Sequence, residues 1–269
     1  MIRLASLPMY DLPEAAAATD GWWQAIARAM RREGIADVPD RLTRDKDYMA
    51  LWGRPGLLFS QACGYPFTHE FRNSLAYVAT PTYAAEGCGG ANYCSFAIVR
   101  ADDPAQTLAD LHGRRVAING THSHSGYNIL RAMLARLARG APFFSEVKTT
   151  GSHIRSIDMV GSGGADVAAI DNVTLGLAAR YRPAMRGKVR ILAQSPSAPG
   201  LPYVTARGAT KDDIRRLRES LKAAHDDPAA RDVREQLLIS GIEILPDSAY
   251  AAIDRFETDA IAAGYPEIR

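Results

Sequence analysis

The segment from Leu111 to Asp171 constrains the fold of this chain more than any other. It reads LHGRRVAINGTHSHSGYNILRAMLARLARG and then, after Ala141-Pro142, FFSEVKTTGSHIRSIDMVGSGGADVAAID. Val116 to Asn119 is short and apolar enough for a buried strand, and Ile129, Leu130, Met133, Leu134 and Leu137 recur at helical spacing through 127–137. The loop GTHSHSG at 120–126 therefore ends at a helix N-terminus, where unpaired backbone N–H groups and the positive end of the helix dipole attract anions. Ser123 and Ser125 add hydroxyl donors. A similar turn, Gly151-Ser152-His153, precedes the apolar Ile154, Ile157 and Met159, so Ser152 or His153 either caps that helix or faces a ligand. Taken singly, each turn is an ordinary strand–loop–helix joint with a serine cap. Two such turns followed by Asp171 at a strand end fit one wall of a binding cleft, because ligands of α/β proteins gather at strand carboxyl ends.

The stretches DLHGRRVAINGTHSHSGYN and TTGSHIRSIDMVGSGGADVAAID, with QACGYPF upstream, resemble the phosphate, phosphite and phosphonate substrate-binding proteins of ABC transporters, over most of residues 57–206. The resemblance implies a two-lobed α/β architecture, the type II periplasmic-binding-protein fold. Each lobe would be a mixed, mainly parallel sheet flanked by helices, and two crossover strands would join the lobes. It also implies a small phosphoryl-containing ligand held by both lobes, no cofactor, and a transporter permease as partner. A ligand that touches both lobes favours their closed state, which is the functional output of such a protein. The resemblance places Ser123, His124, Ser125, Gly126 and His153 at the phosphoryl oxygens, and matches Asp171 to the aspartate closing the family's motif. The family usually has threonine where this chain has His124, and neither lysine nor arginine lies inside the loop.

At 269 residues the chain exceeds the commonest single-domain size, in keeping with two lobes. Residues 1–97 with 194–269 are expected to form the first lobe and 98–193 the second. Tyr93–Arg100 would be one crossover, and the Pro-rich 194–202 following the strand Val189–Ala193 the other, so both chain ends would share the first lobe. Strands are also expected at Ile2–Leu7, Leu57–Ser60 and Leu75–Ala79, and helices at Gly21–Arg32, Lys211–Ala224, Pro228–Ser240 and Asp247–Ala263. Trp22 and Trp23 read as core or lobe-edge anchors. The mixed charges Arg215, Arg216, Arg218 and Glu219 read as a solvated helix face.

With 47% hydrophobic and 23% charged residues and a net charge of +2, the composition carries no nucleic-acid footprint. No apolar run reaches the length of a membrane span. The resemblance implies the periplasm. The N-terminal MIRLASLPMYD has neither the apolar centre nor the cleavage site of an export leader, which favours a leaderless start and keeps the cytoplasm open.

For the first lobe, Tyr10, Gln61 and Tyr65 follow expected strands and offer hydroxyl or amide donors beside an aromatic wall, with Tyr93 at the start of the crossover. Cys63, Cys88 and Cys94 match no zinc or redox spacing. Cys63 and Cys88 both fall in loops after strands and are candidates for a disulfide in an oxidising compartment. Asp171 would either accept a proton from a monoprotonated phosphoryl group or cap the helix from Val173 onward. Three other functions use the same residue types. An enzyme would take Ser123, His124, His153 and Asp171 as nucleophile, base and orienter, although the chain has no GxSxG elbow. A zinc site would take His122, His124 and His153. A leaderless metabolite-binding or sensing protein would work without a transporter. The expectation is a monomeric solute-binding protein with no catalytic residues and no metal.

Overall fold

The computed structural model describes residues 3–45, 47–185, 187–246 and 248–269. Met1 and Ile2 of the expected N-terminal strand, and Asp247 at the expected start of the last helix, lie outside the described residues. In chain order the main elements begin with β1 (Leu4–Ser6), α1 (Ala16–Arg32), α2 (Tyr48–Trp52), β2 (Leu57–Gln61), α3 (Gly64–Thr68) and β3 (Leu75–Tyr83). There follow β4 (Asn92–Tyr93), β5 (Ser95–Arg100), β6 (Arg115–Ile118), a π-helical turn at His124–Asn128, α4 (Ile129–Ala138), β7 (Glu146–Thr149), α5 (His153–Gly161), β8 (Val167–Asp171), α6 (Asn172–Tyr181), β9 (Val189–Gln194) and β10 (Ala198–Pro199). The chain ends with β11 (Tyr203–Ala206), α7 (Lys211–Asp226), α8 (Arg231–Gln236), β12 (Ile239–Glu243) and α9 (Ala251–Ala262).

These elements form two units, Met1–Ala84 with Gly200–Asp247 and Ala85–Pro199 with Ser248–Arg269. The division corrects the expected lobes in two places. Residues 85–97 and 194–199 go with unit 2, because β5 and β9 pair with each other there over Phe96–Arg100 rather than crossing out of the sheet. The last twenty-two residues, Ser248–Arg269, do so as well. Ala260, Tyr265 and Ile268 are buried in the same cluster as Val116, Leu130 and Phe143, and Phe143 N–H donates to the Arg269 carbonyl. The two chain ends therefore belong to different units.

Unit 1 carries a five-stranded sheet in the order β1-β2-β11-β3-β12. β1 and β2 run parallel, and the other three pairings are antiparallel. In place of a helix reaching Ser240, α8 stops at Gln236, Leu238 takes a left-handed conformation (φ 61°), and Ile239–Glu243 pairs with Thr80–Tyr83. That pairing extends β3 beyond the expected Ala79. Pro81 is accommodated because 80–83 have one strand partner while β11 pairs with 75–79, so its missing N–H breaks no second ladder. α1 starts at Ala16, ahead of the expected Gly21, and buries both tryptophans. Trp23 stacks on Phe59 at 6.2 Å, and Trp22 Nε1–H donates to the Tyr203 hydroxyl at 3.0 Å.

Unit 2 carries a second five-stranded sheet, β7-β6-β8-β5-β9, with β7/β6 and β6/β8 parallel and β8/β5 and β5/β9 antiparallel. Both sheets are mixed, with fewer parallel pairings than the expectation of mainly parallel sheets. The apolar runs of β6 and β8 are explained by burial on both faces. Val116, Ile118, Val167 and Ala169 join the core under α4, while Ala117, Ala168 and Ile170 join the core under α5 and α6. Such alternation of side chains fixes the register. The turns at 119–128, 150–153 and 171–174 thereby sit at the carboxyl ends of β6, β7 and β8, three strands that run the same way.

Candidate ligand-binding site

At the end of β6, Ser123 has extended backbone (φ −86°, ψ 133°), and its hydroxyl oxygen accepts from Gly126 N–H at 3.1 Å. The next residues wind as a π turn, with Asn128 N–H reaching back to the Ser123 carbonyl. The first N–H groups of any helical turn have no acceptor within it, so the turn presents donors as well as hydroxyls. At the end of β7, Thr150 donates to the Ile118 carbonyl at 3.1 Å and lies 2.7 Å from the Ser156 hydroxyl, tying β6, β7 and α5 together. Ser152 caps α5 by accepting from Arg155 N–H at 3.3 Å. That leaves His153 for the site, where its Nε2 lies 2.8 Å from the Ser125 hydroxyl. The two turns thus meet through a Ser125–His153 hydrogen bond. His153 is half-buried with its Nδ1 enclosed, and burial pushes its pKa down to about 4, opposed in part by the Ala169 carbonyl.

His124 points into unit 2, its ring 6.2 Å from that of Tyr93 and 5.8 Å from that of Phe256. Burial pushes its pKa down to about 3. Its tautomer follows from its neighbours. Arg131, which can only donate, gives a 2.6 Å hydrogen bond to Asn128 Oδ1, so the Asn128 amide faces Nδ2 toward the Ile253 carbonyl (3.1 Å) and His124 Nδ1 (3.2 Å). His124 Nδ1 must then accept, and its proton sits on Nε2. Arg131 also donates to Glu257 and to the Pro266 carbonyl, so α9 and the C-terminal segment buttress the turn.

Asp171 is buried at the end of β8, and its Oδ1 accepts from Thr174 N–H at 2.9 Å, the helix-capping geometry. Beside it, Asn172 Nδ2 donates to the Glu86 carbonyl (2.6 Å) and to Cys88 Sγ (3.1 Å), while its Oδ1 accepts from Cys94 N–H (3.3 Å). The expected Cys63–Cys88 disulfide is not formed; all three cysteines are thiols. Cys88 is instead the partner of Asn172 within unit 2, and Cys63 belongs to unit 1. Burial raises the Cys88 pKa and pushes that of Cys94 up to about 11, keeping both protonated.

The unit 1 candidates are arranged differently. Tyr10 packs edge-on against Tyr83 with centroids 5.1 Å apart. Gln61 is buried, and its Nε2 donates to the Tyr83 hydroxyl (3.0 Å) and to the Leu201 carbonyl (3.2 Å). Both amide hydrogens are thereby used inside unit 1. Tyr10, Gln61, Tyr83, Trp22 and Tyr203 line a small, half-open depression with about 20 Å³ of space. Tyr65 lies on the one-turn helix α3, where a loop was expected, and stacks on His69 at 4.0 Å. His122 is exposed and folds over Gly120, and among the described residues no group of three potential metal ligands gathers.

A family model described as "ABC transporter, phosphonate, periplasmic substrate-binding protein" matches residues 57–250. The chain belongs to that family. No curated protein sequence matches it. Among solved structures, this substrate-binding protein is similar to a binding-protein component of an ABC phosphonate transporter from Pseudomonas aeruginosa (TM-score 0.78, 15% identity, 97% of this chain and 87% of that one). It is also similar to PhnD1 from Prochlorococcus marinus in complex with methylphosphonate (TM-score 0.75, 13% identity, 96% and 97%). A Xanthomonas citri protein bound to ATP matches at TM-score 0.72 and 19% identity over 98% of each chain. At these identities the structures establish the type II periplasmic-binding fold and carry no ligand across.

Several residues of this site of the binding protein were not singled out from sequence. Asn119, the last residue of the VAIN run, lies with Nδ2 3.4 Å from His153 Nε2, and its buried Oδ1 has no hydrogen-bond partner among the described residues. A strand-terminal polar residue before glycine is the signal that would have pointed to it. Asn128 reads as a helix-face residue and Asn172 as a helix start; their amides matter through groups far away in sequence, Ile253 and Glu86.

Proposed function

We propose that this substrate-binding protein takes a small phosphoryl-containing anion on the unit 2 turns and delivers it to an ABC permease. The observation that carries the reading is the meeting of the two serine turns at Ser125 and His153, at the carboxyl ends of two parallel strands. In this reading the Ser123–Gly126 turn and Ser125 hold phosphoryl oxygens, and His153, linked to Ser125, sets that hydroxyl's direction. Asp171, buried at the end of β8, is proposed to accept from a protonated ligand oxygen. Tyr10 and Tyr65 of unit 1 are proposed as ligand contacts, the substituent on phosphorus being the group they meet, and Gln61, whose amide hydrogens serve Tyr83 and the Leu201 carbonyl, as a support of that wall. The methylphosphonate in PhnD1 makes that compound the natural first probe.

An enzyme is the competing reading, because Ser125 and His153 lie as a nucleophile and base would. We set it aside. The pKa of His153 is depressed to about 4, which makes it a weak base, and Asp171 Oδ1 caps a helix. An activated ester turned over by the wild type and not by Ser125→Ala would restore the enzyme.

The test is a thermal-shift screen of phosphate, phosphite, methylphosphonate, aminoethylphosphonate, sulfate and small carboxylates, followed by calorimetry. A ligand at a hundred times its Kd adds about 2.7 kcal/mol, enough for a clear rise in Tm. Ser123→Ala with Ser125→Ala is expected to weaken the hit by about 0.5–1.5 kcal/mol per hydroxyl while folding survives. Asp171→Asn should weaken a monoprotonated ligand more than it lowers Tm. Wild-type affinity in the serine double variant, or no shift from any phosphoryl compound, would remove the proposal.

A further inference from the structure

Unit 1 has a second concavity at the other end of its sheet, with about 400 Å³ of space, within the size range of small-molecule sites. It lies where β1 and β2 begin and β11 ends, lined by Arg3, Leu57 and Thr205, whereas Tyr10 and Gln61 follow or end the same two strands. Leu57 and Gln61 are the first and last of the five residues of β2, so the two places are about 13 Å apart. The floor is apolar, with Leu57, Leu58 and Leu217 buried beneath it.

The rim is charged. Arg3 donates to the Ala36 carbonyl and its field stabilises the Asp213 carboxylate, which also caps α7 by accepting from Thr210. Those two charges offset one another. Arg54 and Arg207 remain, and among the described residues neither guanidinium has an acidic partner or a side-chain hydrogen bond. Their backbones are fixed, Arg54 N–H on the Leu51 carbonyl and Arg207 N–H on the Ser74 carbonyl, so the side chains start from rigid positions at a common cavity. Arginine's planar fork suits phosphate and carboxylate oxygens, and an apolar floor beside it suits an attached ring or acyl body.

We propose that this pocket is a second, separate site for a small amphipathic anion, an apolar body bearing one phosphate or carboxylate head, with Arg54 and Arg207 holding the head and Leu57, Leu58 and Leu217 receiving the body. The proposal does not depend on which solute the transport site takes.

Phenyl phosphate is the probe, titrated calorimetrically into the full chain, into Ser123→Ala with Ser125→Ala, and into Arg54→Ala with Arg207→Ala. Both arginines are exposed, so the arginine variant should keep the wild-type Tm. The expected result is saturable binding that the serine variant retains and the arginine variant loses by about tenfold or more, since two charge-assisted contacts are removed. Leu58→Asp, which puts a carboxylate in the floor, should weaken phenyl phosphate with the serine pair intact. Binding that survives in the arginine variant, that disappears with the serine pair, or that is absent from all three proteins overturns the second site. The same titration reads the transport site independently, because methylphosphonate has no apolar body for this floor and should follow the serine pair alone.

Discussion

The polar groups of the two units are arranged in opposite ways. In unit 2, hydroxyls, an imidazole and amides converge on two turns, and the buried Asn119 Oδ1 has no hydrogen-bond partner among the described residues. In unit 1, Trp22, Tyr203, Tyr83 and Gln61 bond to one another and to the Leu201 carbonyl beside a small, half-open depression. A satisfied network stiffens its surroundings, while an incomplete one is a place for a ligand to supply the missing group. Changes in unit 2 should therefore register in affinity as well as stability, and changes in the unit 1 network mainly in stability.

The sharpest way to break this contrast is Gly126→Ala. A Cβ there would stand 1.9 Å from Asn119 Oδ1 and 2.7 Å from Asn119 Cγ, so the turn or the strand end must move. We expect a stability loss of about 1–3 kcal/mol and a larger proportional loss of methylphosphonate affinity. Gly89→Ala, also in unit 2, meets nothing within 4 Å and should change neither by more than about 0.5 kcal/mol. Chemical denaturation and calorimetry on both proteins settle the point, and an unaffected Gly126→Ala protein would mean that the turn is not the site.

A smaller effect is expected in unit 1 from Tyr83→Phe. It removes the hydroxyl that accepts from Gln61 and sits next to Tyr203, at about 1 kcal/mol of stability. Methylphosphonate affinity should fall by less than the stability loss. An affinity loss exceeding it would show that the aromatic network contacts the ligand directly, erasing the distinction between the units.

The sequence carried the unit 2 sheet well for a physical reason. Strands buried on both faces and helices with one apolar side announce themselves locally, so β6, α4, β7, α5 and β8 were legible to within a few residues, as was the pairing of a serine turn with a strand end. What was lost depends on distant partners. The expected helix ran on into the start of β12, and the rest of that strand was not expected at all, because its pairing partner β3 lies more than 150 residues away. The allegiance of α9 to unit 2 rests on burial of Tyr265 and Ile268 beside Phe143, which no local pattern announces. His124 was legible as part of the loop, but the direction of its ring depends on Asn128, Arg131 and Phe256. The same is true of Gln61, whose amide looked available and is committed to Tyr83 and Leu201.

The units are also separated by pH. His124 and His153, both in unit 2, have pKa values pushed down to about 3 and about 4 by burial, against an ordinary histidine near 6.5 in the unfolded chain. Over the interval from about 6.5 down to these values the unfolded chain binds more protons than the folded one, so stability rises with pH there. The contribution is complete above about pH 7 and is lost as pH falls toward 4. The depressed carboxylates Asp166 and Asp213 start from 3.8, so their loss lies below this window and does not obscure it. Neither His69 nor His225, the histidines of unit 1, is buried. Hydrogen exchange at pH 7 and pH 5 should therefore show protection falling in β6, β8 and α4 while β2, β3 and β11 hold. His124→Gln with His153→Gln keeps an acceptor for Asn128 and a polar partner for Ser125 while removing both titrations, and should flatten the dependence of Tm between pH 5 and 7. An unchanged slope in that variant would place the acid sensitivity elsewhere and leave the two units alike in their response to protons.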